Sequence, residues 1–105
     1  MTLLEINELC MKYKLPYAYK KFEKPTKPPH LIGTVIDSNN FGADNIVWYK
    51  RSNFMLELTT LKKDLKIQNV VENYILKDIF WEKKEDYIET EGVYNTSYFF
   101  EIEEE

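Results

Sequence analysis

The sequence predicts a single α+β domain over residues 1–105, with two helices packed on one face of a largely antiparallel or mixed sheet of about five strands. Apolar side chains recur at helical spacing over residues 3–14 and again over residues 65–77. Apolar and polar side chains alternate over residues 54–60 and 98–102, as they do in a strand with one buried face. The predicted order is helix, four strands, helix, two strands, which is typical of a largely antiparallel sheet.

The first helix is predicted from Leu3 to about Lys14. Thr2 is suited to cap its first turn, and Glu5 follows at the spacing of a capping box. Pro16 ends the helix, because a proline disfavours the helical conformation of the residue before it. The apolar side chains on the predicted buried face are Leu3, Ile6, Leu9, Cys10 and Tyr13.

A short edge strand is predicted over Tyr17–Phe22, where Lys20 and Lys21 would protect the free edge from pairing with another chain. Residues 23–29 contain three prolines and predict a stiff connector.

The centre of the sheet is predicted to be three consecutive strands, His30–Asp37, Ile46–Lys50 and Phe54–Thr60. The first connection, Ser38–Asn45, is rich in Asn, Gly, Asp and Ser, which favour turns. Its length exceeds that of an ordinary hairpin turn, and such long loops tend to be functional or disordered. The second connection is a short polar turn over residues 51–53.

In the last part of the chain, Asp64 is expected to cap a second helix from Leu65 to about Lys77. A strand is predicted over Ile79–Lys84, a long hairpin connection over residues 85–95, and a final strand over residues 98–102. The predicted apolar stripe of the second helix contains Ile67, Val70, Val71 and Tyr74, with Ile75 beside them.

The residue types needed for most catalytic and metal sites are scarce. Cys10 and His30 are the only cysteine and the only histidine, and they fall on different predicted elements, so neither a disulfide nor a zinc site is expected. The three glycines are isolated and form no phosphate-binding loop. Asp37 and Asp44 flank the central loop, but such residues usually form local turn hydrogen bonds. We therefore expect no catalytic residue, metal or cofactor, and no enzyme.

Charge is distributed unevenly. Residues 1–30 carry six lysines and three glutamates, a net +3, whereas residues 82–105 carry two lysines and nine acidic residues, a net −7. An acidic chain with a pI near 5.1 is not expected to bind duplex DNA non-specifically. The asymmetry suits head-to-tail association of subunits, but charge alone favours the simpler explanation of solvated faces that keep a small protein soluble. Glu5 and Glu8 interrupt any N-terminal apolar run, so we expect neither a signal peptide nor a membrane span.

The run from Leu15 to Thr60 carries a combination of prolines, aromatic residues and turn residues. Its landmarks are Leu15-Pro16, Tyr19, Phe22, Pro25, Pro28-Pro29, Ser38-Asn39-Asn40-Phe41, Ala43-Asp44 and Glu57-Leu58 followed by threonines. This run resembles a family of small proteins encoded by siphophages and prophages of Gram-positive bacteria, which are similar to tail terminator (tail completion) proteins. The likeness continues through Trp81-Glu82-Lys83 and covers nearly the whole chain. Gly33 departs from it, because larger residues usually fill that strand.

The resemblance implies a structural protein of the head–tail junction with an α+β fold. Such a protein forms a ring, commonly a hexamer, on the last ring of the tail tube, stops tube growth and offers a docking surface to the head connector. The expected partners are thus other copies of the chain, the tail tube protein and the head connector or closure protein. DNA would pass through the ring without specific binding. The expected location is the host cytoplasm during assembly and then the tail or neck of the virion.

The resemblance also suggests which surfaces meet in the ring. Phe41 at the tip of the central loop would either be buried in a pocket of the neighbouring subunit or fold back on its own sheet. The implied ring of subunits favours burial in the neighbour. The predicted protrusion comprises Asn39, Asn40, Phe41 and Asp44, and its predicted receiver comprises Tyr17, Tyr19, Lys20 and Phe22. The acidic residues expected to line the lumen are Glu101, Glu103, Glu104 and Glu105, of which the last three are expected to be frayed.

Two other functions remain open. One is a different neck component, such as a head-closure or connector protein. The other is a small host-directed regulator or nucleic-acid-binding protein that uses Lys20, Lys21, Lys24 and Lys27 with the nearby aromatic residues.

Overall fold

The computed structural model of the chain describes residues 1–104 and contains seven strands and two helices in that range. The strands are β1 (Tyr17–Tyr19), β2 (His30–Ser38), β3 (Phe41–Ala43), β4 (Ile46–Tyr49), β5 (Arg51–Thr60), β6 (Glu82–Ile88) and β7 (Val93–Glu103). The helices are α1 (Leu3–Lys12) and α2 (Leu65–Val70), and α2 continues as a π-helical segment over Val71–Ile75.

Five of the strands form one mixed sheet in the order β1-β2-β5-β7-β6. β1 runs parallel to β2, and every other neighbouring pair is antiparallel. This arrangement confirms the predicted α+β class. The two remaining strands, β3 and β4, pair only with each other and lie outside the sheet.

The hydrophobic core lies on one face of the sheet. On β5 the buried residues Phe54, Leu56 and Leu58 alternate with half-buried ones, and Phe54 lies opposite Phe100 of β7. Both helices contribute to the same buried cluster, so both cover this face, as predicted. Truncating a fully buried leucine such as Leu56 to alanine is expected to cost about 2–5 kcal/mol. The side chains from the helical segments and the residue that follows them are Ile6, Cys10, Val71, Ile75 and Leu76.

Both helix starts are as predicted, because they depend on local hydrogen bonds. The Thr2 hydroxyl accepts from the Glu5 N–H at 3.3 Å, and the Glu5 carboxylate accepts from the Thr2 N–H at 3.2 Å. The Asp64 carboxylate accepts from the Ile67 N–H at 3.2 Å. α1 ends at Lys12, two residues before the predicted Lys14.

The second helix differs from the prediction. A π-helical turn holds more residues than an α-helical turn, so the change of helix type at Val71 rotates the following residues around the axis. Tyr74, predicted on the apolar stripe, follows this change and is 52% exposed. Gln68 precedes it and is only 4% exposed, so the buried face already differs from the predicted stripe in the α-helical part. The Tyr74 ring instead contacts the Tyr13 ring, with centroids 5.6 Å apart.

Gly33 is explained by close packing in β2. A Cβ atom at this position would lie 2.6 Å from the Tyr17 hydroxyl and would overlap the Phe54 ring. A larger residue would therefore displace one of these rings, and a glycine is suited to such a close approach.

The predicted extent of the C-terminal strands was wrong. β6 begins at Glu82 instead of Ile79 and continues to Ile88, and β7 begins at Val93, so a four-residue turn replaces the predicted long connection. Gly92 in that turn has a φ of +64°, which favours glycine. The alternation signal failed on β6 because it is an edge strand whose residues are mostly charged on both faces.

The chain end is more ordered than predicted. Glu103 belongs to β7, and its N–H donates to the Met1 carbonyl at 2.9 Å. The Glu104 N–H donates to the Lys50 carbonyl at 3.2 Å. These contacts contradict the predicted fraying of both residues, while Glu105 lies outside the described residues.

The predicted central meander of three sheet strands was also wrong. β2 and β5 pair directly with each other, and the segment between them leaves the sheet as a hairpin. Part of the predicted loop Ser38–Asn45 forms strand β3, and the predicted strand Ile46–Lys50 becomes its partner β4. β1 is an edge strand as predicted, but it ends at Tyr19, because Lys20 has a φ of +71°.

Candidate functional site

The hairpin formed by residues 41–49, which we call the hairpin arm, carries five of the large apolar side chains that are exposed in the described part of the chain. Its register pairs Phe41 with Tyr49, Gly42 with Val47 and Ala43 with Ile46. The two residues between β3 and β4, Asp44 and Asn45, have φ values of 53° and 63°. Positive φ at both central residues is typical of the two-residue type I′ turn, for which Asp and Asn are well suited.

All nine residues of the hairpin arm are exposed. Phe41 and Trp48 each expose 64% of their surface. The apolar side chains on β4 are consecutive and do not alternate with polar ones, so both faces of this strand are apolar. An isolated two-stranded hairpin is only marginally stable in water. The exposed large apolar residues of the arm are Phe41, Ile46, Val47, Trp48 and Tyr49.

The base of the arm is held by polar contacts to the sheet, and we call Asn39, Asn40, Arg51 and Glu101 the arm root. Glu101 accepts from Asn39 Nδ2 at 2.8 Å and from Arg51 at 3.3 Å. The Arg51 N–H donates to the Asn40 side chain at 3.2 Å, and the Asn39 N–H donates to the Arg51 carbonyl at 2.8 Å. The predicted protrusion is thus divided, because Asn39 and Asn40 fix the root while Phe41 and Asp44 lie in the arm.

One groove lies between α1 and β1, and we call it the α1–β1 groove. It has a volume of about 820 Å³ and ends near the arm root, where Ser52 contributes to its lining. Leu4 is 54% exposed at the groove, and the Tyr19 hydroxyl accepts from the Val35 N–H at 3.3 Å. Its main apolar and aromatic lining residues are Leu3, Leu4, Tyr17, Tyr19, Val35 and Ile102.

The predicted receiver surface is only partly assembled by this groove. Tyr17 and Tyr19 line it, whereas Lys20 and Phe22 do not. Phe22 packs edge-on against His30, with ring centroids 5.1 Å apart. Prediction missed the contribution of α1, because Leu3 was assigned to the buried helix face and Leu4 to no surface.

A second groove, of about 660 Å³, is lined in part by Arg51 and Glu101 of the arm root, and we call it the phenylalanine groove. Phe80 at this groove is 84% exposed. The aromatic lining residues are Phe54, Phe80, Phe99 and Phe100, and the acidic ones are Asp37, Asp78, Glu101 and Glu103.

Of the predicted lumen residues, Glu101 and Glu103 lie at the end of β7 that adjoins the arm root, and Glu104 directly follows that strand. Glu101 is engaged by Asn39 and Arg51, so its charge is partly compensated within the chain. Glu103 contributes to both grooves, and Glu104 lines the α1–β1 groove. Glu105 lies outside the described residues.

Burial shifts the pKa of both Cys10 and His30 in the direction that favours the neutral form. Burial raises the pKa of the Cys10 thiol to about 12, so it stays protonated at neutral pH. Burial lowers the pKa of His30, and its Nδ1 atom has no hydrogen-bond partner among the described residues. Within residues 1–104, no group of three or more His, Cys, Asp or Glu side chains is arranged to hold a metal ion. No helix in the same range is both long and apolar enough to cross a bilayer.

Prediction also missed a polar cluster between α2 and the sheet. The buried Tyr98 hydroxyl donates to Glu72 at 2.7 Å, and Lys83 lies 2.7 Å from the same carboxylate. Gln68 donates to Glu85 at 3.2 Å, and the hydrogen bond from Lys63 to Glu85 lowers the pKa of that carboxyl. The polar residues buried beneath α2 therefore have hydrogen-bond partners within this cluster. The four-residue spacing of Gln68 and Glu72 was the available signal, since it places both on one helix face.

Comparison of the chain with family models and with curated proteins gave no match.

Proposed function

We propose that the protein is a structural virion-assembly protein of the tail terminator type, which caps a phage tail tube as a ring and stops its growth. The observation that carries the proposal is the hairpin arm, which exposes five large apolar side chains beside two grooves. Each chain thus carries both a protrusion and candidate receiving surfaces. Contacts between two different surfaces are those that generate rings. The resemblance of the sequence to phage tail terminators supplies the biological setting.

The proposed partners follow from the same setting. Copies of the chain form the ring, commonly a hexamer in such proteins. One side of the ring contacts the tail tube protein, and the other side contacts the head connector or closure protein. The acidic end of β7 is a suitable surface to face DNA that must slide, because like charges do not adhere.

The proposal is tested with phage particles that lack this gene, imaged by negative stain. Overlong tails without heads, restored to normal length by the wild-type gene, are the expected result. Tails of normal length beside unjoined, leaking heads would instead assign the protein to head closure. Normal infectious particles would overturn a role in assembly.

A further inference from the structure

We infer that the hairpin arm of one copy of the chain inserts into the α1–β1 groove of a second copy. This inference deepens the proposed function and rests on it, since it names the surfaces that join neighbouring subunits.

The first argument is that the arm needs cover that its own chain does not give. Phe41, Trp48 and Tyr49 together expose on the order of 300 Å² of aromatic surface. Ile46 and Val47 extend this patch toward the roughly 800 Å² that each partner contributes to a standard interface. Because β4 is apolar on both faces, it suits a groove with two walls better than a flat surface.

The second argument is that the α1–β1 groove offers matching chemistry. Its mouth carries Leu3, Leu4 and Tyr19, all exposed although they lie on regular elements. Its outer wall is β1, an edge strand of the sheet. Edge strands and apolar grooves are common receivers of an extended segment.

Charge separates this groove from the phenylalanine groove. The arm carries one charged residue, Asp44, at its tip. The phenylalanine groove is lined by four acidic residues, which would repel that carboxylate, and its Arg51 is engaged with Glu101. The α1–β1 groove is lined by only two acidic residues, Glu103 and Glu104. Beside the α1–β1 groove, Lys20 and Lys21 directly follow β1 and would attract it.

The occupant is a second copy because the arm and the groove do not meet within one chain. Both Trp48 and Leu4 remain exposed in the single chain, and the arm root holds the base of the arm to β5 and β7. The two surfaces are different, so each copy can donate its arm to one neighbour and receive the arm of another.

The test is site-directed cross-linking between two full-length variants, Trp48→Cys and Leu4→Cys, one of which carries a size tag. The native Cys10 is fully buried and should not react, which the wild-type chain verifies. A short bismaleimide reagent is expected to give a mixed dimer at least several-fold more abundant than the dimers of either variant alone. In the matched control, Leu61→Cys replaces Leu4→Cys. Leu61 is 66% exposed and directly follows β5 at the end away from the arm root.

Three results overturn the inference. One is a mixed dimer no more abundant than that of the Leu61→Cys control. Another is a Trp48→Cys homodimer that equals the mixed dimer, which would indicate arm-to-arm contact. The third is a mixed dimer that persists when Phe41→Ala is added to the arm variant and Tyr19→Ala to the groove variant.

The outcome is separable from that of the proposed function. Overlong tails in the gene-deleted phage, together with no specific cross-link, would overturn this contact and leave the terminator role standing. A specific cross-link together with normal tails would support this contact and overturn the terminator role.

Discussion

Phe41 lies directly opposite Tyr49 in the hairpin arm, and both rings are exposed to solvent. The pair sits at the base of a hairpin that neither pairs with the five-stranded sheet nor contributes to the core, although the Arg51 guanidinium of β5 lies 5.3 Å from the centre of the Tyr49 ring. In the proposed assembly a neighbouring copy buries this pair, so its removal should affect association more than folding.

The first prediction concerns Phe41→Ala. We expect a melting temperature close to that of the wild type, because the ring makes no core contact, and weaker association of subunits. Light scattering with and without tail tubes reports association, and thermal melting reports folding. Phe54→Ala is the control, since loss of a fully buried phenylalanine should cost about 3–5 kcal/mol of stability. A sharp drop in melting temperature for Phe41→Ala, with association tracking folded protein, would make the arm part of the core.

The elements predicted correctly depend on local chemistry. The caps at Thr2 and Asp64 use side chains three residues from their partners, and the alternation on β5 reflects one buried face. β4 was misplaced because its β-branched and aromatic residues favour a strand in any setting, and only tertiary contacts decide whether that strand joins the sheet. Asp44 and Asn45, which have positive φ in the structure, are residue types that suit a two-residue turn, but no such turn was predicted there.

Some residues of the candidate site were named from the sequence because local patterns single them out. The importance of Phe41 followed from its place among turn residues, and Tyr17 and Tyr19 were associated with a receiving surface. The α1–β1 groove could not be derived, because it depends on how α1 lies against β1 and on the exposure of Leu4. Such an arrangement is tertiary and leaves no periodic signal in the sequence.

The second prediction concerns the polar cluster beneath α2. Tyr98→Phe removes the 2.7 Å hydrogen bond to Glu72 but keeps the aromatic ring against Trp81, with centroids 5.5 Å apart in the wild type. We expect a loss of about 1–3 kcal/mol in the free energy of unfolding, because a hydrogen bond to a carboxylate is lost. Urea denaturation measures it. Tyr87→Phe, an exposed tyrosine, is the control and should change stability little. Equal effects of the two substitutions would contradict a stabilising role for the cluster.

The third prediction concerns alkaline pH. Burial raises the pKa of Tyr17 from 10.0 to about 12, and burial together with the Glu72 carboxylate raises the pKa of Tyr98 further. The folded state therefore holds these phenolic protons more tightly than the unfolded state does. Stability from this source is complete below pH 10 and falls as the pH rises through the folded-state values. Urea midpoints measured from pH 8 to pH 11.5 should decline above pH 10, and Tyr98→Phe should decline less steeply than the wild type. Parallel profiles would refute this assignment.

The fourth prediction concerns DNA. Glu101 and Glu103 at the end of β7 and the following Glu104 belong to an acidic chain of net charge −4, so we expect no measurable binding of duplex DNA at physiological salt. The net charge already includes the four lysines that follow β1, and we assign these lysines to the proposed subunit contact. Fluorescence anisotropy with a labelled duplex at two salt concentrations measures binding. The matched variants are a fourfold Lys→Gln change at Lys20, Lys21, Lys24 and Lys27 and a control change at Lys62 and Lys66. Micromolar, salt-sensitive binding that the fourfold change abolishes and the control change retains would favour a nucleic-acid-binding regulator over a ring through which DNA slides.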